Sequence, residues 1–481
     1  MMAFHGWTLG VLGVMLLAGG CVASESALYG PGNAPAAPAV EQLPLRESVS
    51  QYGITWTFDR AVPVGRFVTG DYYVVGEVTV VSVSPSPQGA GADFRNGSML
   101  NPPVHTRSGY DGRFTGPSTF EQELAATFPL SMSPGDSLVS TVSVEEYEQN
   151  KVLPNPTRST ETSPLRSAAV LTVLAEPVPA DTFRPGYADL EKDRLYRARD
   201  IQWDKLPRLE LTEDAPSMEE VTRMFERPWL DHVYGWSSRR VHPIENMPGY
   251  GREVGRAVSL GGLMLLGDFS NEEKAKLAQG MIQVGIDNWA IARRGGGWPA
   301  QGGFGNGRKL PIVLAAVLLQ DDEMLDIAGN APDAVYGEDQ HTEFGESWTG
   351  ASVRFTGQYP DVGDRQIDRG PYEHLRPADW PGNRPTMSES YRRCCTSVSW
   401  VGQALVVRLL EAEDVWGHDA FFAFVDRWMT EDDEAFLDEI EEAHGSRPGI
   451  PQGTTMFDPF VDAMWARYRE TVEPSAATTW R

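Results

Sequence analysis

The sequence contains few of the residues from which metal centres are usually built. Of its 481 residues only three are cysteine and eight are histidine, and no CxxC, HxxxH or HExxH spacing occurs. Such spacings hold the ligands of most zinc sites, so we expect no metal site of that kind. The glycine-rich stretch "GGFGNGRKLP" also lacks the GxxxxGK[ST] spacing of a phosphate-binding loop.

Positive charge is also scarce. The chain has 41 Lys and Arg residues against 67 Asp and Glu, which gives a formal net charge of −26. A surface of this sign repels nucleic acids and anionic membranes. We therefore expect no nucleic-acid partner.

Two of the three cysteines are neighbours in the sequence. Because Cys394 and Cys395 are adjacent, they cannot form an ordinary disulfide with each other. We expect them to be two small buried thiols on a helix.

The N-terminus begins with an apolar run, "WTLGVLGVMLLAGG", which is short for a permanent membrane span. Its end, "LLAGGC", is similar to a bacterial lipoprotein signal, in which Cys21 becomes the lipidated residue; a plain secretory signal is the alternative. We expect a signal peptide over 1–21 and a flexible tether over 22–50. The mature bacterial protein would then lie outside the cytoplasm, either on the cell envelope or secreted. Its only membrane contact would be an N-terminal lipid anchor.

Residues 51–178 have the pattern of β-strands. The stretch "ITWTFDRAVPVGRFVTGDYYVVGEVTVVSVSPSP" is rich in β-branched and aromatic residues, alternates in places with a period of two, and contains turn signals. We predict an antiparallel β-sandwich here, followed by a connector over 179–216.

Residues 217–472 have the period of helices. Apolar residues recur at helical spacing from Val254 to Leu265 and again from Leu310 to Leu318, and Ser270 with Glu273 forms a capping box. A loop-rich insertion is expected over 329–385 and a tail over 473–481. The fold class is therefore α+β with several domains, and the helical domain has the pattern of an α/α toroid, incomplete because the helices are few.

The densest group of chemically active residues lies in "YGWSSRRVHPIENMPGYGREVGR", residues 234–256. His242 precedes a proline and is expected to be extended, while Tyr250 stands at the start of the next helix. Two such groups on a rigid turn and a helix end are well suited to proton transfer. The alternative is a hydrogen-bond network that only holds the loop in place.

This arrangement resembles the α/α-toroid polysaccharide lyases of the alginate and chondroitin AC type. The resemblance implies that His242 and Tyr250 carry the proton transfers, that Asn246 or Asn306 supplies an amide, and that Arg308 is the later arginine of the site. It implies a uronic-acid-containing polysaccharide as substrate, cleaved by β-elimination. The other expected substrate contacts are Arg239, Arg240, Arg252, Trp298, Tyr391 and Arg392, with Trp298 stacking on a sugar; Arg393 is expected to be structural.

Removal of a proton next to a uronate carboxylate requires donors that stabilise the developing negative charge. The acidic surface therefore has to contain a locally basic cleft. We expect the basic residues of "SSRR", "IARR", "GRK" and "YRR" to converge on it.

The acidic insertion provides rival functions. Its carboxylates are candidates for calcium ligands or for the acid and base of an inverting glycoside hydrolase, although an acidic chain also contains such clusters as solvated loops. A non-catalytic glycan-binding surface lipoprotein is the third alternative. The calcium candidates are Glu338, Asp339, His341, Glu343 and Glu346, and the hydrolase candidates are Asp364, Asp368 and Glu373. No other cofactor is expected.

Overall fold

The computed structural model describes most of the chain and has a mixed α+β fold. A curled β-sheet forms the N-terminal part and helices form the C-terminal part. The described residues are 36–105, 107–114, 119–147, 163–190, 192–235, 241–247, 251–357, 371–380, 384–455 and 458–472.

Eight strands belong to the N-terminal sheet. Their order across the sheet is β5-β7-β8-β3-β2-β4-β6, and β1 pairs with β2. A separate short hairpin, β9 with β10, lies within the insertion. The strands are β1 (Leu45–Gln51), β2 (Ile54–Arg66), β3 (Tyr72–Val75), β4 (Val78–Ser84), β5 (Ser98–Leu100), β6 (Leu130–Met132), β7 (Ser137–Ser143), β8 (Leu165–Leu174), β9 (Thr342–Phe344) and β10 (Val353–Phe355).

The long strand β2 organises the sheet. Its first half alternates buried Ile54, Trp56 and Phe58 with half-exposed threonines, as expected for a strand with one face in a core. This half pairs with β4, the second half pairs with β3, and β1 runs along both. Register shifts in the β1 and β4 pairings accompany the curl of the sheet.

The helical part follows the connector. In the described residues the helices are α1 (Met218–Arg223), α2 (Gly251–Leu266), α3 (Asn271–Arg293), α4 (Lys309–Leu319), α5 (Asp322–Leu325), α6 (Ile327–Asn330), α7 (Gly337–Gln340), α8 (Arg384–Tyr391), α9 (Ser397–Leu409), α10 (Glu413–Trp416), α11 (Asp419–Thr430), α12 (Glu434–His444) and α13 (Pro459–Tyr468). The capping box predicted at Ser270 and Glu273 is present at the start of α3. None of the helices in these ranges is long and apolar enough to cross a membrane.

One face of the sheet packs into the hydrophobic core of the helical part, and the other face encloses a separate core. Strand β8 is buried on both faces: Ala169 and Leu171 face the core inside the sheet, whereas Ala168 and Val170 pack with the helical residues. A strand covered on both sides is expected to be apolar throughout. This contact fixes the sheet against the loops that lead into α2.

The structure differs from the sequence predictions in three places. The strands form one hydrogen-bonded sheet in which β3 and β8 are parallel, so the pairing is not wholly antiparallel as expected. The first strand begins at Leu45, inside the segment predicted as a tether over 22–50. The single helix expected around Cys394 is divided by a π-helical turn, Arg392–Thr396, between α8 and α9.

Candidate functional site

Three charged or titratable side chains meet in the interior beside the start of α4. Asp231 Oδ1 lies 3.0 Å from His242 Nε2 and 3.1 Å from Arg308 Nε. Arg308 Nη2 lies 3.2 Å from His242 Nε2. All three side chains are fully buried. They form what we call the Asp–His–Arg cluster.

The contacts of the cluster determine which nitrogen of His242 carries the proton. An ionised carboxylate only accepts hydrogen bonds and a guanidinium only donates them, so the contacts of Nε2 with Asp231 and with Arg308 favour opposite tautomers. We assign the proton to Nε2 because its contact with Asp231 is the shorter of the two. The other ring nitrogen, Nδ1, then holds a free electron pair, and it has no hydrogen-bond partner among the described residues. The Trp229 ring meets the imidazole edge to face at 5.1 Å and supports its orientation.

Burial and charge act in opposite directions on these groups. Burial by itself would raise the pKa of Asp231, but the adjacent charge of Arg308 and the contact with His242 outweigh it, and the pKa lies at about 2. Burial lowers the pKa of His242, and the charge of Arg308 opposes the influence of Asp231. At neutral pH the cluster therefore contains a carboxylate, a neutral imidazole and a guanidinium.

Arg308 is bound by protein groups on every side. Besides Asp231, its Nη1 donates to the carbonyls of Phe304 and Asn306, at 3.0 and 2.7 Å. Its own carbonyl accepts from Asn288 Nδ2 at 3.2 Å. The structure thus places Arg308 next to His242. The donors of Arg308 bind Asp231 and two backbone carbonyls, so they are not directed towards a ligand.

The glycine loop, residues 295–307, packs against other segments of the same chain. A Cβ atom at Gly303 would lie 2.5 Å from the carbonyl oxygen of Cys395, and one at Gly307 would lie 2.8 Å from the backbone nitrogen of Gly255. Gly307 also has φ +84°, a conformation that other residues rarely adopt. The glycines are therefore required for packing against α2 and the π-helical turn.

Glu338, in α7, lies under this loop. One of its carboxyl oxygens accepts the Gly307 N–H at 2.6 Å, and the side chain of Gln403 also acts on this carboxyl. Burial raises the pKa of Glu338 to about 7, against the lowering effect of the Gly307 N–H. This carboxyl is therefore partly protonated near neutral pH.

The adjacent cysteines differ from the sequence prediction. Cys394 and Cys395 are joined by a disulfide within the π-helical turn, with their Cα atoms 3.7 Å apart. Neighbouring Cα atoms are closer than those of most disulfide pairs, so sequence spacing argues against the bond, although ring closure across one peptide bond is sterically possible. The expected pair of free buried thiols is replaced by a disulfide.

Trp298 and Asn246 take structural positions. Trp298 is 0% exposed, and its indole N–H donates to the carbonyl of Asp231 at 3.1 Å, so no face is open for the predicted sugar stacking. The amide of Asn246 is engaged on both sides by the backbone of Arg227, at 3.3 and 3.0 Å. Both residues stabilise the loops around the cluster.

Three further predicted contacts surround the disulfide turn. Arg252 is half-buried and donates to the Cys394 carbonyl at 3.3 Å. The half-buried Tyr391 lies against Gly302 of the glycine loop. Asn306 donates to the Cys395 carbonyl at 3.0 Å and to Ser399 Oγ at 2.7 Å.

Arg392 does not lie at the cluster. It is buried and bound to Glu389 through two hydrogen bonds of 2.6 and 2.8 Å, and Glu373 of the insertion lies 3.7 Å away. Arg393 shares Glu389 and is structural, as expected. Buried acidic partners, and not a cleft, therefore account for the positions of Arg392 and Arg393.

The predicted convergence of basic residues is not seen in the part of the chain that the structure describes. Arg293 pairs with Asp189, Arg294 donates to the Ala188 carbonyl, and Lys309 pairs with Asp339. Among the described residues of the four basic segments, Arg308 contacts His242. Tyr250, Arg239, Arg240 and Cys21 lie outside the described residues.

The carboxylates of the insertion do not form a common site. Three of them have separate basic partners: Asp339 binds Lys309, Glu343 binds Arg354, and Glu373 binds Arg427. Within the described ranges no group of three or more histidine, cysteine or acidic side chains is arranged to hold a metal ion. Asp364 and Asp368 lie outside those ranges.

A cavity of about 400 Å³ separates the sheet from α3, away from the cluster. The deepest cation in its wall, Arg184, is held by Asp287 at 2.7 Å and by Asp71 at 2.9 Å. Because Arg184 is already bound by these two carboxylates, we regard this cavity as part of the contact between sheet and helices.

Asp231 and the disulfide are not apparent from the sequence motifs. Asp231 lies in the largely apolar stretch "PWLDHV". An isolated acidic residue in such a stretch indicates a buried and therefore paired carboxylate, and this pattern could have identified it. No family model matches the chain, and no curated protein or solved structure matches it either.

Proposed function

We propose that this chain is an enzyme that cleaves a uronic-acid-containing polysaccharide by β-elimination, with His242 as the proton acceptor. The observation that supports this most directly is the Asp231–His242 pair. In the tautomer that donates from Nε2 to this carboxylate, Nδ1 is the basic nitrogen, and it has no hydrogen-bond partner among the described residues. A neutral imidazole at neutral pH is the form that a general base requires.

The remaining roles follow from what each group already binds. Since Arg308 is engaged by Asp231 and two carbonyls, we assign it to positioning and electrostatic support of the pair. Tyr250 would return a proton to the leaving oxygen, and Arg239, Arg240 and Arg252 would neutralise the uronate carboxylate. An α/α-toroid arrangement of the helices, export from the cytoplasm and lipidation of Cys21 belong to the same proposal.

The burial of His242 sets a condition on this function. A substrate can react only if Nδ1 becomes accessible to it, whereas the imidazole is 0% exposed in this structure. We expect diethyl pyrocarbonate to modify His242 and an oligouronate to protect it. Complete resistance of the folded protein to modification at His242 would contradict the proposal.

The decisive experiment is incubation of the mature protein with a panel of polyuronates while the ultraviolet absorbance of unsaturated uronyl ends is followed. The signal should grow with the wild type and fall by about 10²–10⁴ in His242→Gln, because a general base supplies roughly that factor. His444→Gln, at a half-buried histidine that ends α12, is the matched control and should retain activity.

Two other results have definite meanings. New reducing ends without the ultraviolet signal would show a glycoside hydrolase. Polymer binding without cleavage would show the non-catalytic glycan-binding protein. In either case the β-elimination proposal fails.

A further inference from the structure

The disulfide between Cys394 and Cys395 lies two hydrogen bonds from the Asp–His–Arg cluster. The Cys395 carbonyl accepts from Asn306 Nδ2 at 3.0 Å, and the Asn306 carbonyl accepts from Arg308 Nη1 at 2.7 Å. Arg308 then contacts Asp231 and His242 directly. A continuous path thus joins the disulfide turn to the imidazole.

The glycine loop leaves little room for movement along this path. A Cβ atom at Gly303 would lie 2.5 Å from the Cys395 carbonyl, so the two backbones are already in close contact. The Cys394 carbonyl is bound as well, by Arg252 at 3.3 Å. Close-packed interiors transmit displacement to their neighbours, so a shift of this turn has to move the loop that carries Asn306 and Arg308.

We propose that the Cys394–Cys395 disulfide is a positioning element for the candidate site, and that its reduction loosens the cluster around His242. The disulfide closes a ring that contains the peptide bond between the two cysteines and the Cα atom of Cys395. The Cys395 carbonyl is attached to this Cα atom, so the ring restrains the point from which the path begins. Without this ring the π-helical turn is held by hydrogen bonds and packing alone.

Reduction requires a dithiol. Its thiolate attacks one sulfur, the Cys394–Cys395 bond breaks, and a mixed disulfide forms between the reagent and the protein. The second thiol of the reagent then attacks the reagent's own sulfur in this mixed disulfide, which releases the protein thiol and leaves the reagent as a cyclic disulfide. Two electrons and two protons pass from the dithiol to the protein, which ends with two thiols. Cys394 is half-buried and Cys395 buried, so we expect the first attack at Cys394.

The experiment compares oxidised and dithiol-treated protein in a Cys21→Ser background, so that the two remaining cysteines are the only source of thiols. Alkylation and mass spectrometry count the thiols in each state. The ring nitrogens of His242 are followed by NMR in histidine-labelled protein, with His242→Gln identifying their signals. We expect no free thiol before treatment, two afterwards, and a change in the tautomer signal of His242 on reduction.

Two variants test the path. The double variant Cys394→Ser, Cys395→Ser should show the reduced-state signal with or without dithiol. Asn306→Ala should also show an altered His242 signal, and reduction should change it little further, because the connection is already broken. Thermal unfolding of each protein confirms that it is folded, and Cys395→Ala alone replaces the double variant if that one does not fold.

The activity measurement rests on the proposed function, whereas the NMR measurement does not. If the enzyme cleaves a polyuronate, reduction should lower its rate by about tenfold, within the range of typical coupling between sites. Absence of cleavage would contradict the proposed function and leave the NMR comparison to decide this inference. Free thiols in the untreated protein, or an unchanged His242 signal after complete reduction, would overturn it.

Discussion

Glu338 makes the stability of this protein depend on pH in a direction that can be worked out from its surroundings. The carboxyl is buried in α7, and burial raises its pKa from 4.5 to about 7. A group whose pKa is higher in the folded state binds its proton more tightly there. Its contribution to stability is therefore complete below about pH 4.5 and is lost as the pH rises through about 7.

The size of the effect follows from the same two values. A difference between 4.5 and about 7 corresponds to about 3 kcal/mol of preference for the protonated form. Glu338→Gln cannot ionise, and its amide oxygen can still accept the Gly307 N–H. We expect the variant to match the wild type near pH 4.5 and to be more stable by about 2–3 kcal/mol at about pH 8.

The assay is urea unfolding of both proteins at several pH values, with the difference in free energy of unfolding plotted against pH. Glu346→Gln is the matched control, because Glu346 lies in the same insertion but is exposed. Its difference from the wild type should stay small throughout. A flat difference for Glu338→Gln as well, or one that grows towards acid pH, would refute the reasoning.

Three further substitutions have expected outcomes. Asp231→Asn leaves the guanidinium of Arg308 buried without its carboxylate and should cost about 3–5 kcal/mol in urea unfolding; a loss below about 1 kcal/mol would contradict the ion pair. Trp298→Phe removes one hydrogen bond and leaves a cavity in place of the larger ring, so it should cost about 2–4 kcal/mol, with no change in polyuronate affinity measured by calorimetry. Gly303→Ala should lower stability by about 1–3 kcal/mol because its Cβ would meet backbone, whereas Gly449→Ala, with nothing within 4 Å, should have a much smaller effect.

Local patterns in the sequence predicted the local structure well. The alternation at Ile54, Trp56 and Phe58 became a strand, and the capping box at Ser270 became the start of α3. These features depend on neighbours within one or two turns of chain, which the sequence displays directly. The pairing of the strands could not be predicted in the same way. The parallel pairing of β3 with β8 depends on contacts between segments that are distant in the sequence.

The π-helical turn shows another limit. Apolar spacing on either side of Cys394 fits a single helix, and an inserted residue that widens one turn leaves little trace in such a pattern. The disulfide inside this turn was excluded on spacing alone. The conformation that brings the two sulfurs together is a property of the folded turn and was not available to that argument.

The candidate site was predicted in part for the same reason. His242 and Arg308 were selected by residue type, and the structure places them 3.2 Å apart. Asp231 joins them through a contact that spans 77 positions of sequence to Arg308, and no local pattern reports such a pairing. Trp298 was expected to stack on a sugar, but a tryptophan beside a glycine loop can equally be buried where two parts of the same chain meet.

The charges of the cluster favour one kind of reaction. With Asp231 ionised, His242 neutral and Arg308 charged, the cluster is electrically neutral before reaction. Uptake of a proton at His242 Nδ1 would make it cationic in a buried site, where an uncompensated charge is costly. The reaction best served is therefore one in which the substrate becomes more negative as it loses the proton, because the two charges then develop together and attract each other. Abstraction of a proton next to a uronate carboxylate meets this condition, whereas deprotonation of a cationic substrate would not.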